Sequence, residues 1–239
     1  MKLVVAIAFG ACAHKASAPP PPSPFVSADE LVTAVIDDWG STKATLRVWK
    51  PGVGGWQPQG PAFPAVIGKT GAAWGDGLHG VGAPAGHAGP IKQEGDKKSP
   101  AGAFALVESF GYDAETSTLP YRKVDASTLC IDDASSPKYG EIGQLAGGDF
   151  KSFEKMRRDD DLYSLGIVVD HNHAHVRGHG SCIFLHVWGG PDSTTVGCTA
   201  MAKPDLARLV ASVSPHAAFV LLPRDEYRAL SEPWGLPAQ

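Results

Sequence analysis

Residues 182–201 read CIFLHVWGGPDSTTVGCTAM, and the first seven of them decide the fold class. Cys182 to Trp188 is apolar, β-branched and aromatic, and Gly189, Gly190, Pro191 and Asp192 stop the run at once, the pattern of a short buried strand. Working outward, the same pattern recurs at 31–36, 44–49, 65–69, 103–107, 121–125, 164–170 and 218–222, giving eight strands with 182–188. Helices are few and late. Residues 204–213 predict one, with Pro204 in the first turn, Asp205 at the positive end of the dipole, and Leu206, Leu209, Val210 and Val213 on one face. A second is expected over 150–158. Such regular strands predict a mostly β fold, an antiparallel sandwich or barrel with a few peripheral helices, in one domain over 27–239.

The chain has 239 residues, 43% hydrophobic and 19% charged, which is enough apolar material for a packed core. Its 28 Gly and 20 Pro interrupt the sequence too often for a helical bundle. A net charge of -4 supplies no basic field for a phosphate backbone, so nucleic acid is excluded as a general partner.

Met1, Lys2 and the uncharged run from Leu3 to Phe9 read as an export signal over 1–12, too short to span a bilayer. Two processing routes fit. Phe9, Gly10, Ala11 and Cys12 resemble a lipobox, with Cys12 lipidated, whereas the small residues at 11–13 and 16–18 fit ordinary cleavage. The Pro-rich segment 13–26 would be an extended tether. The expected location is the periplasm or cell envelope, with membrane contact only through a lipid on Cys12.

His186 closes the apolar strand and Cys198 follows Gly197 in a polar turn, so a hairpin-like return would bring imidazole and thiol together. A thiol becomes a nucleophile with the help of a base or positive surroundings, and His186 could be that base. Gly197 leaves the backbone open to a substrate carbonyl, whose oxyanion the Cys198 N–H and a neighbour would hold. On these residues alone the pair is weak evidence, and a buried cysteine with a hydrogen-bonded core histidine is the stronger reading.

As a whole, 182–201 resembles the signature of the L,D-transpeptidase catalytic domain, the YkuD-like family, in which a strand-ending His is followed after a loop by Ser/Thr-x-Gly-Cys. Ser99, Pro100, Ala101, Gly102, Ala103 and Phe104 are similar to that family's Ser/Thr-Pro-x-Gly-x-Phe element. Runs at 36–46, 74–80, 130–133, 156–163 and 170–172 are similar to a bacterial branch of it, so the likeness extends over nearly all of 29–223. The resemblance implies a β-rich catalytic fold and a cysteine acyltransferase acting on peptidoglycan stem peptides, without metal or organic cofactor. Cys198 would be the nucleophile, His186 its base, and the Val187 carbonyl the group orienting the imidazole. Attack would fall on the L-to-D bond of a tetrapeptide stem, releasing D-alanine and passing the acyl group to an amine or to water. His171, Asn172, Thr195, Trp188 and His79 are expected to hold the stem.

The chain departs from the common pattern at Val196, where a second His usually stands, at Ala200 in place of an Arg, and at Val187 in place of a Gly. Donors for the stem carboxylate are thereby lost, and the rival expectations are an L,D-carboxypeptidase or peptidoglycan hydrolase on the same site, or a catalytically weak cell-wall binding module. If Cys198 must be free and the chain is exported, Cys130 and Cys182 are expected to form a disulfide, the alternative being two unpaired buried thiols. The imidazoles of 171–179 invite a zinc reading, but residues two apart in a strand share a face only while the strand lasts, and Gly178 and Gly180 break it; the run is read as a solvated loop beside the cleft and no metal is assigned. Trp74 and His79 lie in the Gly-rich segment 69–100, which would either wall the cleft or be anchored to the core by its aromatics.

Overall fold

The computed structural model describes residues 23–113 and 117–239. The lipidation expected at Cys12 lies outside them. In chain order the elements are β1 (Glu30–Ile36), β2 (Lys43–Gly52), β3 (Gly55–Pro58), β4 (Phe63–Val66), β5 (Ala72–Trp74), β6 (Ser99–Gly111) and β7 (Tyr121–Lys123). There follow β8 (Thr128–Cys130), β9 (Ile142–Gln144), β10 (Glu154–Lys155), β11 (Leu165–Val169), β12 (Phe184–Val187), β13 (Thr199–Met201), α1 (Lys203–Ser212), β14 (Ala217–Pro223) and α2 (Arg224–Trp234).

Eight strands close a barrel in the order β1-β14-β6-β11-β12-β13-β4-β2, with β2 returning to β1. The β1–β14 and β12–β13 seams are parallel and the other six antiparallel. β1 and β14 are buried along their whole length: β14 is an unbroken apolar run, and β1 is apolar apart from Glu30, paired with Lys50, and Thr33, which accepts from the Trp49 indole. Leu31, Leu46, Phe104, Ile167, Leu185 and Phe219 belong to one core, to which α1 adds Leu206, Leu209 and Val210. α2 lays Tyr227, Leu230 and Trp234 on the same core, with Trp234 edge-on to Phe25.

A satellite sheet, β9-β8-β10, stands outside the barrel. The expected disulfide is present: Cys130 at the end of β8 is bonded to Cys182, two residues before β12, with the Cα atoms 6.0 Å apart. It joins the satellite to the barrel around a second core that includes Phe110, Met156, Tyr163, Phe184 and Cys198.

All eight expected strands and the 204–213 helix are found. The helix expected over 150–158 is not. That segment holds β10, and its exposure alternates, with Phe153 and Lys155 outward and Met156 fully buried, the period of a strand paired to β8. Pairing with a distant strand here overrides local helix propensity.

Candidate active site

β12 and β13 run side by side in parallel, with Leu185 opposite Thr199 and His186 opposite Ala200. Cys198, immediately before β13, is therefore level with Phe184, whose N–H donates to the Cys198 sulfur at 3.3 Å. Paired positions share a face and strand neighbours alternate, so Cys198 and His186 project to the same side, two residues apart along the seam. The expected hairpin return is corrected to a parallel crossover. Both residues line a pocket of about 370 Å³ with Lys69, Arg158, Leu162, Tyr163, Thr194, Thr195 and Val196.

The nucleophile candidate is held by its main chain. Its carbonyl oxygen accepts hydrogen bonds from Ser99 and Thr195, and Gly197 before it takes φ 155° with its N–H on Thr195 Oγ1. An added Cβ at Gly197 would meet Ile183 and the Lys98 carbonyl at 3.4 Å in a conformation L residues avoid. Cys198 is 2% exposed, and its sulfur also contacts the Cys182 carbonyl at 3.5 Å. Burial pushes the Cys198 thiol well above its ordinary range and the Glu154 charge adds to this, against the Phe184 N–H, Tyr163 and Lys92. The resting group is a thiol rather than a thiolate.

His186 Nδ1 lies 2.7 Å from the Val187 carbonyl, so Nδ1 carries the hydrogen and Nε2 keeps its lone pair, the orientation expected of Val187. Burial pulls the imidazole pKa down to about 4, leaving it neutral and able to accept a proton at neutral pH. Sulfur and imidazole share the pocket without a direct hydrogen bond between them among the described contacts. Both groups rest neutral, so a nucleophilic Cys198 requires its proton to pass to His186 Nε2 in step with attack.

No family model, curated protein or solved structure matches the chain.

Of the residues expected to hold a stem peptide, Thr195 alone is at this pocket. Trp188 is half-buried, its N–H bonded to the Met201 carbonyl, and does not line the pocket. His171 and Asn172 are buried loop fasteners. His171 accepts the Asp76 N–H and reaches the His179 carbonyl, while Asn172, at φ 53°, bonds Val176 and Gly180. His79 packs on Trp74, Phe104 and Trp234, so it serves the core. Trp188, His171, Asn172 and His79 thus lie outside the pocket that holds Cys198 and His186. Trp74 is fully buried and anchors the Gly-rich segment from within.

The His-rich loop disperses its imidazoles: His173 pairs with Asp170 at 3.0 Å, His179 with Asp76 at 2.6 Å, and His171 faces inward. Among the described residues no group of three or more His, Cys, Asp or Glu could hold a metal.

The sequence reading misses Glu154, Tyr163 and Arg158. Tyr163 stands edge-on to His186 at 5.1 Å and donates to Glu154 at 2.5 Å, and Arg158 lies over its ring. Arg158, Tyr163 and Val196 also wall an adjoining groove with Lys155 and Arg157. The signal present was Arg157 and Arg158 beside an apolar Tyr163, but a charged turn reads the same way.

Proposed function

We propose that this protein is a peptidoglycan L,D-transpeptidase, a cysteine acyltransferase of the envelope that resembles the YkuD-like family. The observation that carries the reading is a free thiol and a neutral, carbonyl-oriented imidazole on one face of adjacent strands, walling one pocket. Lys69, Lys155 and Arg157 are the cations open to a substrate carboxylate, such as that of a stem peptide, whereas Arg158 is held by Asp160, which lines the same groove with Asp159.

On this reading the Cys198 sulfur attacks the carbonyl of the L-to-D bond while His186 Nε2 takes the thiol proton. The tetrahedral oxyanion collapses, the C–N bond breaks, and His186 returns the proton to the departing D-alanine amine, leaving a thioester. An acceptor amine then attacks the thioester, His186 removes its proton, and the sulfur leaves as the thiol. The Val187 carbonyl favours the imidazolium formed in each half-reaction.

Mass spectrometry of muropeptides after incubation of sacculi with the protein tests the reading. New L,D cross-links or exchanged terminal residues are expected with the wild type and not with Cys198→Ala. Shortened stems without cross-links would make the protein an L,D-carboxypeptidase instead, and unchanged muropeptides would favour a binding module.

A further inference from the structure

Glu154 is half-buried, and acyl transfer by Cys198 and His186 leaves its carboxyl unused. β10 pairs with β8 so that Glu154 stands opposite Cys130. The Cys130–Cys182 bond fixes that pair close to Phe184, whose N–H meets the Cys198 sulfur. Glu154 accordingly shares a second pocket with Gly197 and Cys198. Tyr163 borders both groups: its hydroxyl donates to Glu154 Oε2 at 2.5 Å, and its side chain lines one pocket with Cys198. The phenol has one proton to give, and a carboxyl and a thiol lie on either side of it as acceptors.

We propose that Glu154 is a positioning residue that gates the Cys198 thiol through Tyr163. The proposal rests on Cys198 being the nucleophile. When Glu154 is ionised, Tyr163 donates to the carboxylate and a negative charge faces the sulfur, so the sulfur keeps its hydrogen. When Glu154 is protonated, its O–H donates to the Tyr163 oxygen, the phenol O–H turns to the sulfur, and the opposing charge is gone. The thiol then gives up its proton to His186 more readily. The only exchange with solvent is the single proton on Glu154.

The surroundings place this switch in the neutral range. Burial pushes the Glu154 pKa up, as do Asp132 and Glu94, while Tyr163 and Arg158 oppose them, and the result is about 7. On the sulfur's side Lys92 favours ionisation, Lys97 lines the same pocket, and His186 is uncharged.

The test is the pH dependence of Cys198 alkylation by iodoacetamide, read by peptide mass on the wild type, Glu154→Gln and Tyr163→Phe. Glutamine carries no charge and still donates to Tyr163. Glu154→Gln should therefore react at the wild-type rate near about pH 6 and about tenfold faster near about pH 8.5, the scale of one pKa unit for a removed like charge. Tyr163→Phe should react more slowly near about pH 6, where the phenol serves the sulfur, and at the wild-type rate near about pH 8.5, where it serves the carboxylate. Glu154→Asp, which retains an ionisable group, should keep the wild-type curvature and serves if the glutamine chain does not fold. Superimposable wild-type and Glu154→Gln profiles, or a Cys198 labelled only after denaturation, would overturn the proposal. Alkylation needs no peptidoglycan, so a divergence in a chain without transpeptidase activity would refute the proposed function and leave the gate standing.

Discussion

The Ser99 hydroxyl donates to the Cys198 carbonyl oxygen at 2.8 Å, joining positions 99 residues apart. Thr195 donates to the same oxygen at 2.6 Å, and each hydroxyl in turn accepts a backbone N–H, Ser99 from Gly68 and Thr195 from Gly197. Segments 99–104 and 182–201 thus meet on the candidate nucleophile's own peptide and fix its backbone rather than its sulfur.

Ser99→Ala removes one of two donors to a buried carbonyl and leaves the Gly68 N–H without that acceptor. Stability should fall by about 1–3 kcal/mol, measured by urea unfolding. A loss below about 0.5 kcal/mol, the level of an ordinary surface change, would mean that Thr195 holds the loop alone.

Gly102 has a packing reason of its own. At φ 134° its missing Cβ is replaced by the His79 ring, 2.1 Å from where that atom would be. Gly102→Ala should cost about 3 kcal/mol or more, from backbone strain and overpacking together. Adding His79→Ala should recover part of the loss; strictly additive losses in calorimetry would contradict the contact.

The barrel is legible in the sequence because its strands are β-branched apolar runs between Gly, Pro and Asp, and α1 because Pro204 and one apolar face mark it. β13 is not, since three residues carry no period, and neither is the parallel sense of β12 and β13, because a hairpin and a crossover can share the same local residues. Cys198 and His186 are legible by residue type and turn context. Glu154 is hidden: only pairing with β8 and the Cys130–Cys182 bond turn it toward the thiol, and both are distant contacts. His171, Asn172 and His79 mislead for the opposite reason, since polar residues in Gly-rich loops look available until the loop closes on them.

Stability should depend on pH through buried groups working in opposite directions. Burial holds His186 and His171 at about 4 against 6.5 when unfolded, so their contribution is full above about 6.5 and is lost as pH falls through about 4. Glu154, raised from 4.5 to about 7, contributes fully below about 4.5 and loses its contribution as pH rises through about 7. Urea midpoints of the wild type should fall on acidification below about 6.5, and those of Glu154→Gln should fall more steeply because the opposing carboxyl is gone. An equal or shallower fall in that variant would contradict the Glu154 assignment.

The central claim, that Cys198 carries the acyl group of a stem peptide, is tested most directly by intact-protein mass spectrometry after mixing with a disaccharide tetrapeptide and rapid acid quenching. The wild type should gain the mass of the donor less D-alanine, with the adduct mapped to Cys198, and His186→Ala should form it about 10² to 10⁴ times more slowly, the usual worth of a general base. An adduct that persists in Cys198→Ala, or D-alanine released at an undiminished rate by that variant, would contradict the account.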